Sequence, residues 1–94
     1  MKVAIQFEAQ LRQVAGTAQV DVDVPADSSL LAAVRQAAGS ASDALRERLL
    51  AADGALQSGI LVFVDDQPVS SSAAETHVLE AGDTVLLLPP ISGG

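Results

Sequence analysis

The chain has 94 residues, of which 49% are hydrophobic and 18% charged, and it contains no cysteine. This length predicts a single domain, and the composition is typical of a folded globular protein rather than a disordered chain. The missing cysteines exclude disulfides, thiolate metal sites and a cysteine nucleophile, and a formal charge of -7 argues against a nucleic-acid partner.

The N-terminal segment alternates between apolar and polar residues, which is the two-residue period of a half-buried strand. Its apolar side consists of Val3, Ile5 and Phe7. Because the charged residue Lys2 follows the first methionine, this segment lacks the long apolar run of a signal peptide or a membrane span. We therefore expect a cytoplasmic protein with no membrane partner.

A second alternating segment predicts another strand. Its valines share the buried side and its aspartates face water: Val20, Val22 and Val24 against Asp21 and Asp23. Gly16 lies between the two alternating segments, where the chain could turn. The two strands together predict an N-terminal hairpin with a long loop.

The segment after Pro25 predicts the main helix. Pro25 ends the preceding strand, and Asp27 or Ser28 stands where a helix N-cap belongs. Gly39 occupies the position expected just beyond the C-terminus of the helix. The apolar residues between them recur at helical spacing and should lie on the sheet: Leu30, Leu31, Val34, Ala37 and Ala38.

A shorter second helix is predicted within residues 42–52. Leu45 and Leu49 lie four residues apart and so share one helix face. The Asp53-Gly54 pair that follows is typical of a turn and should end this helix.

Two apolar runs of strand length, residues 60–64 and 84–88, predict further strands. The first run is unbroken and β-branched, which favours a central strand buried on both faces or nearly so. The residues between the runs have turn or surface composition: 65–68, 70–75 and 80–83, with a short piece around Val78. This order predicts an α+β fold, with one main helix on one face of a mixed sheet and the first and last strands as parallel central neighbours.

Side chains in patterns typical of catalysis are almost absent. His77 is the single histidine, so it has no second histidine or cysteine with which to share a metal. Asp65 and Asp66 are adjacent, which suits a turn better than a pair for acid–base chemistry. The dispersed glycines match no phosphate-binding motif, and the serines at 70–72 lack the surroundings of a nucleophile elbow. The sequence therefore predicts a protein that is not an enzyme and that binds no metal and no cofactor.

The C-terminal residues are the segment that the fold alone does not explain. Two prolines follow Leu88, where they end ladder pairing and stiffen an extended exit. The sequence then ends at Gly93-Gly94, and six residues past Leu88 can reach about 20 Å. Without side chains, two glycines can enter a narrow channel in another protein. The carboxylate of Gly94 is inert until ATP converts it to an acyl adenylate, which a sulfur donor could turn into a thiocarboxylate.

Several segments resemble the ubiquitin-like β-grasp sulfur carriers, and among them the small subunit of molybdopterin synthase, the MoaD type, with ThiS-type carriers as close relatives. The resemblance runs through nearly the whole chain. It rests on Phe7-Glu8-Ala9-Gln10-Leu11-Arg12 followed by Gly16, on Pro25 with Leu30-Leu31 and Val34, on Leu79-Glu80-Ala81-Gly82-Asp83-Thr84-Val85, and on Pro89-Pro90-Ile91-Ser92-Gly93-Gly94.

The resemblance implies a ubiquitin-like β-grasp domain over residues 1–88 and an extended, flexible tail over residues 89–94. It implies that an adenylating E1-like enzyme of the MoaB/MoeB/ThiF type, using ATP, charges Gly94, which then becomes a thiocarboxylate. The molybdopterin synthase large subunit, the MoaE type, would receive the tail and use its sulfur to build the molybdenum cofactor. The inserted residues would be Gly93, Ser92, Ile91, Pro90 and Pro89, of which Gly93 lets the tail enter and the prolines aim it.

The acceptor of the sulfur remains open at this point. Related carriers with the same fold and Gly-Gly end serve thiamine thiazole, cysteine or other sulfur-containing metabolites. A further alternative is a ubiquitin-like modifier, in which the activated carboxylate is joined to a lysine amine of a target protein. The third is a plain interaction module whose acidic surface, with Asp21 and Asp23, binds a partner without tail chemistry.

Overall fold

A computed structural model of the chain describes residues 1–90. Its elements in chain order are β1 (Lys2–Phe7), α1 (Gln10–Ala15), β2 (Gln19–Asp23), α2 (Leu30–Ala41), α3 (Asp43–Leu49), β3 (Leu61–Val64), β4 (Gln67–Val69), a 3-10 helix (Ser71–Ala73) and β5 (Thr84–Leu88). The five strands form one mixed sheet in the order β2-β1-β5-β3-β4. β1 and β5 are parallel, and the other neighbouring strands are antiparallel. The predicted α+β, ubiquitin-like β-grasp fold is thereby confirmed.

The core lies between one face of the sheet, here called the inner face, and the helices. The alternation predicted for β1 holds, because Val3, Ile5 and Phe7 are fully buried. The α2 stripe packs on the same core, with Leu30, Leu31, Val34, Ala37 and Ala38 buried. The remaining strands contribute inward residues in the same way: Val22, Val62, Val64, Val85 and Leu87. Hydrophobic burial on this one face therefore holds the sheet and the helices together.

The long loop predicted between β1 and β2 contains a helix, α1, that the sequence did not reveal. It has only six residues and buries a single side chain, Leu11, too little to show a helical period. Gly16 ends it in the left-handed conformation, with φ 77°, and its N–H donates to the carbonyl of Arg12. The predicted turn at Gly16 is thus the C-terminus of a helix.

The predicted ends of α2 are wrong at both termini. Ser29 is the N-cap, and its hydroxyl accepts the Ala32 N–H, whereas the Ser28 hydroxyl donates to the Pro25 carbonyl at 2.6 Å. Gly39 lies inside the helix, which continues to Ala41 because the buried Ala37 and Ala38 keep the last turns on the core. An extended residue at 42 then ends α2.

The second helix was predicted within residues 42–52 and is confirmed over a shorter range. Ser42 caps it by accepting the Leu45 N–H at 3.1 Å. The helix ends at Leu49, because Leu50 adopts an extended conformation and forms a bridge with Leu56. Because Leu50 pairs with Leu56, the chain leaves the helix at this point and does not continue to residue 52, where the prediction had ended it.

The prediction that residues 60–64 are buried on both faces is wrong. The strand lies inside the sheet, between β5 and β4, but Leu61 is 40% exposed and Phe63 is only half-buried. The buried residues of β1, β2, β3 and β5 lie on the inner face, and the residues on the opposite face, here called the outer face, are half-buried or exposed. Apolar residues in a central strand therefore need not be buried on both sides.

Part of the turn predicted at 65–68 is a strand. Only Asp65 and Asp66 form the turn, and both have a positive φ. Residues 67–69 form β4, an edge strand, where a proline is tolerated because its missing N–H faces no neighbour. The piece predicted around Val78 is reduced to one bridge with Ser29.

Candidate functional site at the chain exit

β5 carries the chain to the candidate site from the centre of the sheet. It pairs with β1 on one side and β3 on the other, and its inward residues Val85 and Leu87 are fully buried. The Glu8 N–H donates to the Leu87 carbonyl at 3.1 Å, which extends the pairing to the end of the strand. The tail therefore begins at one of the most constrained strands of the fold.

Two of the predicted site residues follow this strand directly. Pro89 is half-buried and Pro90 is exposed. The other predicted site residues lie outside the described residues: Ile91, Ser92, Gly93 and Gly94. The exit consists of the end of β5 and these two prolines, neither of which can donate a backbone hydrogen bond.

An apolar patch lies on the outer face beside the exit. Phe63 faces Leu86 on β5 and Pro68 on β4, and Leu61 faces Leu88 across the same sheet. Residues two apart on a strand share a face, so these five side chains form one surface. A groove of about 330 Å³ borders it, lined in part by Leu61, Phe63 and Pro68. Leu61 and Pro68 are exposed, and Phe63, Leu86 and Leu88 are half-buried. A partly exposed apolar surface of this kind is typical of a site that binds another protein.

The sequence analysis did not identify this patch. The apolar runs 60–64 and 84–88 contain the patch residues but carry no polar alternation that would show which side is covered. The number of predicted helices could have indicated the patch. One main helix and one short helix are too few to cover both faces of a sheet.

The other half of the outer face is polar. On β1 and β2 the Gln6 amide donates to Gln19 at 3.1 Å, and Lys2 faces Asp23 across the strands. Asp21 and Asp23 are exposed there, as the sequence predicted. The outer face thus changes from charged at the β2 edge to apolar at β5 and β3.

The end of the sheet opposite the exit is acidic. An Oδ of Asp83 accepts the Glu80 N–H at 2.8 Å, and an Oδ of Asp65 accepts the Thr84 N–H at 2.9 Å. Burial raises the pKa of Asp83, and the hydrogen bond and negative charge of Asp65 raise it further, although the Glu80 N–H acts in the opposite direction. These carboxylates lie at the start of β5, the length of the strand away from Pro89.

Metal-ligating side chains, His77 and a second groove were the remaining features of the described residues that could form a site. Within residues 1–90 no three histidine, cysteine, aspartate or glutamate side chains come together as metal ligands. His77 is half-buried, and its backbone carbonyl accepts the Leu30 N–H, which ties it to the start of α2. A groove of about 400 Å³ lies beside α3, and Arg46 on its border pairs with Asp43 at 2.8 Å. No helix in the described part of the chain is both long and apolar enough to cross a bilayer.

Comparison with known proteins identifies relatives that span almost the whole chain. Residues 5–94 match the ThiS family. The chain is 37% identical over 86 residues to small archaeal modifier protein 1 of Haloferax volcanii, covering 92% of this chain and 93% of that protein. The crystal structure of that modifier (SAMP1) superimposes with a TM-score of 0.87 at 32% identity, over 100% of both chains.

Two more distant structures share the fold alone. A putative molybdopterin converting factor, subunit 1, from Pyrococcus furiosus has a TM-score of 0.74 at 19% identity, covering 97% of this chain and 99% of that one. A structure of the BexX/CysO complex of Amycolatopsis orientalis contains a chain with a TM-score of 0.73 at 24% identity, covering 98% and 99%.

Proposed function

The chain belongs to the ThiS family of ubiquitin-like β-grasp carriers and modifiers, and on this premise we propose that it carries sulfur as a thiocarboxylate on Gly94. The observation that supports this most is that the family match extends to residue 94 and so includes Gly93 and Gly94. The central strand β5 leads to these residues through two prolines that cannot pair with a neighbouring strand.

The proposed chemistry takes place at the C-terminal carboxylate. A carboxylate oxygen of Gly94 attacks the α-phosphorus of ATP and displaces pyrophosphate, which gives an acyl adenylate. A donor at the sulfide level then attacks the acyl carbon, and AMP leaves with the bridging oxygen. The product is a thiocarboxylate, and we propose an adenylating E1-like partner for the reaction because the sequence has no cysteine and no phosphate-binding glycine motif.

The apolar patch suits the docking of that partner. It lies on the same face and at the same end of the sheet as the exit, with Leu88 shared between the patch and the last position of β5. A partner that covers Phe63 and Leu86 would hold the body of the carrier while the tail reaches a separate active site.

We propose molybdopterin synthesis as the first candidate for the use of this sulfur. In this role the chain is the small subunit of molybdopterin synthase, and a large subunit of the MoaE type receives Pro89, Pro90, Ile91, Ser92 and Gly93 in its active site. The Pro-Pro pair before the Gly-Gly end supports this branch, and a putative molybdopterin converting factor has the same fold.

Protein modification is a second candidate, and the 37% identity to a protein named as a small archaeal modifier supports it. In this role the amine of a target lysine attacks the activated carbonyl of Gly94 and forms an amide. Both candidates use the same activated end, so they differ only in the nucleophile that accepts it.

The experiment that tests the carrier chemistry is the intact mass of the chain after incubation with an adenylating partner, ATP and a sulfur donor. We expect a gain equal to the exchange of one oxygen for sulfur. The control is a chain that lacks Gly94, which should unfold at the same temperature, since residues 1–88 supply the core, and should gain nothing. Sulfur transfer by the truncated chain would overturn the proposal, as would no gain with a partner proved active on a known carrier.

The two acceptors are separated by giving the thiocarboxylated chain to each. Formation of molybdopterin with a large subunit of the MoaE type supports the first candidate. Slower-migrating conjugates on denaturing gels, lost with Gly94, support the second. Product in only one of the two assays decides between the two candidate acceptors.

A further inference from the structure

Gly59 and Pro90 lie next to each other just beyond the paired ends of β3 and β5. The last pair of that ladder is Leu61 with Leu88. Gly59 belongs to the turn before β3, which the Ile60 N–H closes by donating to the Gln57 carbonyl at 3.1 Å, and Pro90 follows β5 by two residues. The pairing of β3 with β5 therefore brings the two residues together, beside the Leu61–Leu88 end of the apolar patch.

The contact between them is closer than any ordinary pair of side chains allows. A Cβ built on Gly59 would lie 2.9 Å from both Cβ and Cγ of Pro90 and 3.9 Å from its Cα. Facing residues in antiparallel strands normally have Cβ atoms about 4.5–5.5 Å apart. Gly59 does not have the positive φ that favours glycine elsewhere in the chain. The absent side chain therefore serves a close approach rather than an unusual backbone conformation.

This packing compensates for hydrogen bonds that the prolines cannot make. An ordinary strand would be held by N–H donors at positions 89 and 90, but proline has none. The ring of Pro90, which is exposed on its other sides, lies instead on the bare backbone of Gly59. We propose that Gly59 is a positioning residue, which fixes Pro90 and thereby the point from which residues 91–94 begin.

This role of Gly59 extends the proposed function. Its expected effect on the rate of thiocarboxylate formation rests on that function. A reactive carboxylate must meet the partner's active site while the carrier is docked through a separate surface. A displacement of about 1 Å far from the reacting atoms can lower a rate by up to about a hundredfold. A methyl group at position 59 must displace Pro90, because its Cβ would otherwise overlap the proline ring.

The test compares Gly59→Ala with Gly39→Ala as the matched control. Gly39 lies in α2, and a Cβ there meets nothing within 4 Å. We expect Gly59→Ala to lower kcat for thiocarboxylate formation about tenfold, with a much smaller change in KM, since the patch for docking is intact. Gly39→Ala should leave both constants unchanged. Equal kinetics for the two variants would overturn the proposal.

A double-mutant cycle with Pro90→Gly separates positioning from a general defect. Removing the proline ring removes the overlap, so adding Gly59→Ala to Pro90→Gly should cost much less than it costs in the original chain. Equal costs in both backgrounds would show that the alanine acts elsewhere and would contradict the inference.

A structural measurement tests the contact without any partner enzyme. Nuclear Overhauser effects between the Gly59 α-protons and the Pro90 ring protons should be strong in the original chain and changed in Gly59→Ala. If the original chain shows these effects but is never thiocarboxylated, the proposed function fails and the positioning contact stands. If the effects are missing, the contact itself fails, whatever the mass experiment shows.

Discussion

Asp65 connects two strands through its backbone and its side chain. It is the first residue of the turn between β3 and β4, with φ 47°, and Asp66 follows with φ 70°. These left-handed conformations are costly for most residues, but aspartate and asparagine tolerate them. The Asp65 N–H donates to the Thr84 carbonyl, and its Oδ1 accepts the Thr84 N–H, each at 2.9 Å. The same geometry brings its carboxylate close to Asp83.

The Asp65 and Asp83 carboxylates make the free energy of unfolding depend on pH. Because the pKa of Asp83 in the folded chain lies above its ordinary value of 3.8, the ionised form disfavours folding. Its contribution to the free energy of unfolding therefore rises as the pH falls through the folded pKa towards 3.8. Above the folded pKa the unfavourable contribution is fully present.

We predict that Asp65→Asn raises the free energy of unfolding at neutral pH by a few tenths of a kcal/mol, the range of exposed charge pairs. Asparagine keeps the Oδ1 acceptor for Thr84 but removes the negative charge that raises the pKa of Asp83. The advantage should shrink as the pH falls below the raised pKa of folded Asp83, where its carboxyl is protonated and no longer repels a charge at residue 65. Urea unfolding across this range measures it. Asp66→Asn is the control for net charge, and an equal pH dependence in both variants would contradict the prediction.

At the scale of elements, the ends of α2 show how neighbouring segments set a helix boundary. The N-terminus is held by the Ser29 hydroxyl and also by the Leu30 N–H, which donates to the His77 carbonyl at 2.8 Å. The bridge between Ser29 and Val78 brings this distant segment to the cap. The boundary therefore depends on residues almost 50 positions away, which a local pattern around Asp27 and Ser28 does not contain.

We predict that Ser29→Ala lowers the free energy of unfolding by about 1 kcal/mol, because the Ala32 N–H loses its acceptor. For a domain of this size, this corresponds to a fall in Tm of about 4–8 °C. Ser28→Ala is the matched control and should cost less, since its hydroxyl bonds the Pro25 carbonyl outside the helix. Thermal unfolding of the two variants measures the difference. A larger loss of stability for Ser28→Ala than for Ser29→Ala would show that Ser28 is the N-cap, as the sequence predicted.

At the scale of the whole molecule, the sheet separates stability from recognition. Its inner face is packed against the helices, with the largest core residues fully buried: Phe7, Ile5, Leu11, Leu30, Leu45, Leu49, Leu79 and Leu87. In the described strands its outer face carries half-buried and exposed residues, among them the apolar patch beside the exit. Substitutions on the outer face should therefore change binding more than folding.

We predict that Phe63→Ala weakens binding to the activating partner by about tenfold to a hundredfold, with a small change in Tm. The aromatic ring lies at the centre of the apolar patch, between Leu86 and Pro68, where a buried anchor contributes most to an interface. Gln19→Ala is the matched control, because it removes an exposed polar side chain from β2, at the far edge of the same face. Titration calorimetry measures both affinities. Equal affinities would show that the partner docks elsewhere.

Local sequence patterns were enough to predict four of the five strands and the main helix, and they singled out the C-terminal end as a candidate site. The strands were visible because alternation over β1 and β2 needs only local spacing, and the stripe from Leu30 to Ala38 needs only the period of a helix. The family resemblance rested on motifs of consecutive residues, which can be recognised without knowledge of the fold. The roles of Gly94 and its neighbours stay predictions for the mass experiment.

Only the tertiary structure decided which face of the sheet is covered and which residues meet across it. Alternation assigns residues to two sides of a strand but does not say where helices will pack, so Leu61 and Phe63 were expected to be buried. Strand pairing is a relation between segments distant in sequence, and the pairing of β3 with β5 brings the turn that contains Gly59 against Pro90. A glycine before a strand has no local pattern that shows a close approach to a residue 31 positions later, because the contact exists only once β3 and β5 have paired.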